Sequence, residues 1–421
     1  MRRSLSLSAV VTVLISMATV PSLSGQWVLI PMDRQQENHL KAYGVTYRAL
    51  MRGEQGEWLL NYRGGAFLLP DTDVLRRESA LAGVTFVPIA VVKVEAIRAE
   101  IAAANMESVP LDKAPKIAVY TSPNTEPWDD AVTMVLEYAG IPYDRIWDQG
   151  VLGGGLRDYE WLHLHHEDFT GQYSKSFLAY SRTAWFREEV SMNQEEAASL
   201  GFRTVPDLKK AVARGIREYV EKGGFLFAMC SSTETLDLAL AAHDVDIAAS
   251  FSDGTPPDAD ASSRMDWTAA MAFQGGRIDL SEAANAFSDI DGHQVNTPSR
   301  KELGFYTLFD FSAKFDPVAT MLTQDHESVL PDFYGLTTSY RLNRVKPGTI
   351  VLAREGELAK YVHGYLGEGT FTYLGGHDPE DPEHEVGDEP TDLSLHPNSP
   401  GYRLILNNVL FPAAKKKTLK T

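Results

Sequence analysis

An apolar run, Gly224-Phe225-Leu226-Phe227-Ala228-Met229-Cys230, passes without a linker into Ser231-Ser232-Thr233-Glu234-Thr235-Leu236-Asp237-Leu238-Ala239-Leu240-Ala241-Ala242. The first piece has the length and composition of a buried strand. The second has a hydroxyl-rich start and helical apolar spacing. A strand that turns straight into a helix belongs to a sheet with helices packed against it, and its turn stands at the carboxyl edge of that sheet. The chain's only cysteine, Cys230, occupies this turn. There it is predicted to meet the N–H groups and positive dipole end of a helix, which favour a thiolate. The competing reading is a small buried hydrophobe closing the strand.

The pattern around this junction extends the argument. Ile117–Tyr120, Tyr143–Trp147, Trp161–His165, 349–353, Tyr361–Tyr365 and Gly369–Leu374 read as strands, with helices over 128–139, 205–221 and about 401–410. Strands alternating with helices of this length predict an α/β fold with a doubly wound, mostly parallel, flavodoxin-like sheet. In such a sheet the site lies beyond the carboxyl ends of the strands. Residues 26–112 read as a small α/β N-terminal domain, closed by a proline-bearing linker over 107–115. Residues 113–421 form the main domain, with 243–345 as an insertion that breaks its rhythm.

The N-terminus bounds location. Met1-Arg2-Arg3, an apolar stretch Leu5–Val20 and small residues through Gly25 describe a signal peptide over 1–25, too short to span a bilayer. With no cysteine at the cleavage point for a lipid, a periplasmic or secreted protein without a membrane anchor is expected. One cysteine allows no internal disulfide. A net charge of −18 opposes nucleic acid or an anionic membrane surface as partner. The Lys415–Lys417 run reads as a solvated tail. A small-molecule or peptide/amide substrate is the expected partner, and no cofactor is demanded.

Three constellations carry chemistry. A thiol nucleophile needs a base, and the base needs a group to hold its ring. The strand Gly369–Leu374 delivers Gly375-Gly376-His377-Asp378-Pro379-Glu380-Asp381. Cys230, His377 and Glu380, with Asp378 or Asp381 as other choices for the third member, therefore form the first candidate set. The second is His163-Leu164-His165-His166-Glu167-Asp168. On a strand, His163 and His165 share one face and His166 takes the other, so all three converge only if the strand bends. Zinc is the metal such neighbours suit, with His293, His326, His377 or His384 as further ligands; the plainer reading packs His163 in the core. The third is the acidic run Asp378–Asp392, including Glu385, whose spacing fits no calcium loop and reads as solvated.

The strand–Cys–helix junction followed downstream by a strand ending in His, with Glu380 close behind, resembles the class I glutamine amidotransferase-like superfamily. That resemblance covers about Lys116–Cys230 and Thr349–Leu410. It implies a flavodoxin-like fold, Cys230 as nucleophile and His377 as base, with the Ser231 N–H and the His166, Glu167 and Asp168 loop forming an oxyanion hole or pocket. Over its whole length the chain also resembles exported bacterial proteins often labelled asparagine synthetase B, through Trp27–Asp33, Leu60–Gly65, His165–Gly171 and Gly376–Phe411. It has no cysteine before Cys230 and no Ser-Gly-Gly-x-Asp-Ser loop for ATP, so ATP-driven asparagine synthesis is not implied. The expected activity is cysteine-dependent hydrolysis of an amide or ester. The alternatives are a ligand-binding protein without catalysis and a metal-dependent hydrolase built on His163–Asp168.

Overall fold

The computed structural model describes residues 26–123, 130–281, 286–292, 304–323, 327–333, 335, 337–383 and 387–414. The expected signal peptide, His293, His326, His384, Glu385 and Lys415–Lys417 lie outside them.

The N-terminal unit is a five-stranded sheet of β1 (Trp27–Ile30), β2 (Gly56–Leu60), β3 (Ala66–Pro70), β4 (Val87–Ile89) and β5 (Glu107–Leu111), in the order β4-β1-β3-β2-β5. All its ladders are antiparallel. β5 occupies the stretch that its proline marks as linker. Pro110 is tolerated because β5 is an edge strand, where a missing N–H costs no ladder bond. Helix His39–Met51 packs between this sheet and helices Ala131–Ala139 and Pro400–Leu410, which explains why most of its circumference is buried. Gly44 makes the closest approach: a Cβ there would stand 1.8 Å from the Ala139 carbonyl.

The second sheet has ten strands. β6 (Ile117–Tyr120), β7 (Asp144–Ile146), β8 (Trp161–Leu164), β9 (Phe225–Met229) and β15 (Gly369–Leu374) run parallel, in the order β7-β6-β8-β9-β15. Beyond β15 every ladder is antiparallel: β14 (Leu358–Leu366), β13 (Ile350–Glu355), β10 (Phe305–Leu308) and β11 (Val329–Pro331), with β12 (Tyr340–Arg341) on β14. This corrects the expected doubly wound, mostly parallel, flavodoxin-like sheet: the fold is sheet-rich, with one mixed and one antiparallel sheet. The cause is local. Gly356-Glu357 and Gly367-Glu368 are two-residue connections whose glycines take φ of 53° and 59°. So short a link makes a hairpin, whereas parallel neighbours need a crossover of roughly a dozen residues. The 243–345 segment supplies β10, β11 and β12 to this antiparallel half.

Helix Val205–Glu221 starts as its sequence dictates, with Thr204 Oγ1 accepting the Asp207 N–H at 3.2 Å and Pro206 in the first turn. No helix among the described residues is long and apolar enough to cross a membrane.

Candidate metal centre at the carboxyl edge

The site grows out of the ends of β8, β9 and β15. His163 is fully buried in β8, and its Nδ1–H donates to the Phe227 carbonyl of β9 at 3.0 Å. His163 Nε2 and His165 Nδ1 turn to one carboxylate, Asp130, at 3.2 and 3.1 Å. Asp130 is the N-cap of helix Ala131–Ala139, accepting the N–H groups of Val132 at 2.7 Å and Thr133 at 3.2 Å. Burial alone would raise its pKa, but the two imidazoles and their hydrogen bonds outweigh that and hold the carboxyl well below the usual range.

β8 ends at Leu164, so His165 and His166 have left the strand, and the two-face alternation no longer separates them. His165, His166 and His377 each offer a ring nitrogen, and these nitrogens lie within 4.8 Å of one another. The His165 and His377 rings meet edge-on with centroids 4.3 Å apart; His166 and His377 are close to parallel at 6.4 Å. Phe333 stacks on His377 at 5.4 Å. Burial pushes the His166 pKa down to about 3, with His165 adding to the effect.

His377 reaches this position because Gly375 and Gly376 release the chain from β15. A Cβ on Gly375 would sit 2.2 Å from the Thr338 carbonyl, and Gly376 takes φ 105°. The Gly376 carbonyl accepts the Cys230 N–H at 3.1 Å, tying the ends of β15 and β9 together.

Cys230 sits at φ 50°, a left-handed conformation that costs a non-glycine residue about 1–3 kcal/mol. Burial pushes its thiol up to about 11, with the charges of Glu167 and Asp291 opposing the Ser231 hydrogen bonds. The helix N–H groups expected to favour a thiolate are partly committed elsewhere: Cys230 N–H to Gly376, and Ser232 N–H to the His165 carbonyl at 3.1 Å. Among the described residues no hydrogen bond joins the Cys230 sulfur to His377. The Ser231 hydroxyl donates to the His166 carbonyl at 3.0 Å. Glu380 pairs with His396 at 3.0 Å, and its N–H caps Asp378 Oδ1 at 2.8 Å.

Glu167 Oε2 accepts the His165 N–H at 3.0 Å, and burial pushes this carboxyl up to about 7. Asp168 anchors its own loop, accepting the Thr170 N–H and hydroxyl at 2.8 and 2.6 Å, and the N–H groups of Gln172 and Ser174 at 3.1 and 2.9 Å. Beside His166 and Glu167 opens a cavity of about 240 Å³, walled further by Asp130, Trp147, Glu189 and Lys209. Sequence reasoning misses Asp130, Glu189 and Lys209. Only Asp130 carries a local signal, that of an aspartate ahead of an apolar-periodic helix.

No protein-family model matches the chain, and no curated protein matches it. Among solved structures, a cytoplasmic protein of Salmonella typhimurium LT2 is 14% identical, with 71% of this chain and 100% of that one covered and a TM-score of 0.35. A second cytoplasmic protein of Salmonella typhimurium is 11% identical over 72% and 100%, with a TM-score of 0.34. A beta-galactosidase from Bacillus circulans sp. alkalophilus is 12% identical over 73% and 32%, with a TM-score of 0.27. Likenesses this weak carry no argument about function. The resemblances to the amidotransferase-like superfamily and to the asparagine synthetase B group are overturned: half of the second sheet runs antiparallel, where the resemblance implied a doubly wound parallel sheet.

Proposed function

We propose that the protein is a metal-dependent hydrolase of small amides or esters, with His165, His166 and His377 as the ligands. The observation that carries this reading is the convergence of three ring nitrogens within 4.8 Å. Metal–nitrogen bonds of about 2.0–2.1 Å in a tetrahedral centre place nitrogens about 3.4 Å apart, so the cluster needs only a small contraction. A zinc-class ion held by three imidazoles keeps a fourth position for water or substrate and polarises a carbonyl. Asp130 accepts from His165 Nδ1 and so directs Nε2 toward the cluster, the carboxylate–histidine arrangement that orients metal ligands. Glu167, on the wall of the adjoining cavity, is placed to take a proton from an attacking water.

Elemental analysis of protein purified without chelator tests this. The expected result is about one zinc-class ion per chain, lost in His377→Ala and His165→Ala together with hydrolysis. Hydrolysis by a metal-free preparation overturns it. A second reading, a cysteine hydrolase, is favoured by one observation, the strained φ of Cys230 on a strand-to-helix turn. Export to the periplasm or medium is part of the proposal and rests on residues 1–25 of the sequence; cell fractionation checks it.

A further inference from the structure

The acids around the cavity differ in how far their charge is already satisfied. Asp130 is committed to a helix N-terminus and two imidazoles, and Asp168 to four donors of its own loop. Glu167 holds the His165 N–H and, more weakly, the Ser232 hydroxyl at 3.4 Å. The cation nearest to hand is also spoken for: Lys209 Nζ donates to Asp148 at 2.9 Å and to the Tyr120 hydroxyl at 3.0 Å, and lies 3.8 Å over the Trp147 ring.

Glu189 stands apart. It lies on helix Ala184–Ser199, in the wall formed with Trp185 and Asn193 one turn to either side. Among the described residues its carboxyl has no hydrogen bond and no ion pair, and the residue is half-buried. Burial and Asp168 resist its ionisation while Lys209 favours it. A half-buried carboxylate without a partner is costly, and an incoming cation removes that cost. Trp185 and Tyr173 add aromatic surface to the same cavity, and ring faces attract cations. An anionic ligand would meet four acids against two cations, Arg145 and the already paired Lys209, in a chain of net charge −18.

We propose that this cavity selects substrates carrying an ammonium or guanidinium group, which pairs with Glu189 while the scissile carbonyl faces the histidine cluster. The proposal rests on the cavity being the hydrolase's substrate site, and its binding part can be tested without turnover.

The test is calorimetric titration of the full chain with Nα-acetyl-lysine amide and its uncharged analogue Nα-acetyl-norleucine amide, with metal content measured on each sample. The charged probe is expected to bind at least about tenfold tighter, the preference surviving chelator treatment and vanishing in Glu189→Gln. Equal binding of the two probes, binding of neither, or a preference unchanged in Glu189→Gln overturns it. Tighter binding of Nα-acetyl-glutamate amide also overturns it. A cation preference in a protein that never holds metal would sink the hydrolase reading alone; a metal-loaded protein with no preference would sink this inference alone. Glu189→Gln is isosteric, and an unchanged melting temperature verifies its fold.

Discussion

Asp130 Oδ1 lies 3.1 Å from His165 Nδ1 and, with the same atom, accepts the Val132 N–H at 2.7 Å. One carboxylate thus starts a helix and orients a histidine. These roles separate in Asp130→Asn, because asparagine caps helices about as well as aspartate. The variant is expected to change folding stability by less than about 1 kcal/mol while zinc affinity falls about 10- to 100-fold. Competition with a chromophoric chelator reads the affinity. Unaltered affinity would remove the orienting role.

Cys230 separates the two readings of the chemistry. With burial pushing the thiol up to about 11, only a very small fraction of molecules is thiolate at pH 7.5. Iodoacetamide should label the native protein at least about 100-fold more slowly than the urea-unfolded chain, and Cys230→Ala should hydrolyse within a few-fold of the natural protein. Rapid labelling with activity lost in the alanine variant would favour the cysteine hydrolase instead.

Glu234 predicts a stability profile. Its Oε1 accepts from the Ser288 hydroxyl at 2.5 Å and Oε2 from that of Thr337 at 2.8 Å, while Asp291 accepts the Thr337 N–H at 2.7 Å. Burial first, and then the charge of Asp291, raise Glu234 from an ordinary 4.5 to about 8. A folded-state value above the unfolded one means that the folded form holds the extra proton between them. Its contribution is therefore complete below about pH 4.5 and is lost as pH rises through about 8. Urea unfolding at pH 5, 6.5, 8 and 9 should show this decline, and Glu234→Gln should make it shallower, leaving the part that Glu167 and Glu189, both raised to about 7, contribute. Equal slopes in both proteins would contradict the assignment.

Lys209 and Asp148 test the cavity's rear wall. Both are buried, Asp148 completely, and they pair at 2.9 Å. Lys209→Ala leaves a buried carboxylate without its cation, at a cost of about 3–5 kcal/mol. Lys209→Met combined with Asp148→Asn buries no charge and should recover part of that loss in denaturant unfolding. A loss under about 1 kcal/mol for the single variant would remove the pair's role in stability.

Much of the fold is legible where one local signal dominates. Val205–Glu221 and Gly369–Leu374 begin and end where their periodicity and flanks indicate, and the strand-to-helix junction stands at Cys230. Strand direction is harder. The connections Gly356-Glu357 and Gly367-Glu368 encode two hairpins, but a reading led by strand–helix alternation passes over them. β5 hides behind Pro110, because only an edge position makes that proline harmless. The histidine cluster depends on distant parts of the chain: His165 and His166 converge once the strand ends, His377 arrives on another strand, and Asp130 comes from 35 residues before His165. No periodicity reports such meetings. Glu167 and Asp168 are placed near the site by sequence, and both line the cavity, yet Glu167 braces a histidine while Asp168 secures its own loop.

Helix Ala131–Ala139, which carries Asp130 at its start, rests against the first unit at its far end. Arg48 donates to the Ala139 carbonyl at 2.8 Å, Asn38 donates to the Tyr138 hydroxyl at 2.8 Å, and Gly44 admits the closest backbone approach. The small unit is thus a strut for the histidines, and the distance from His165 to Asp130 depends on where that strut holds the helix. Evolution or engineering that swaps the N-terminal unit while leaving every ligand in place would detune the centre from behind.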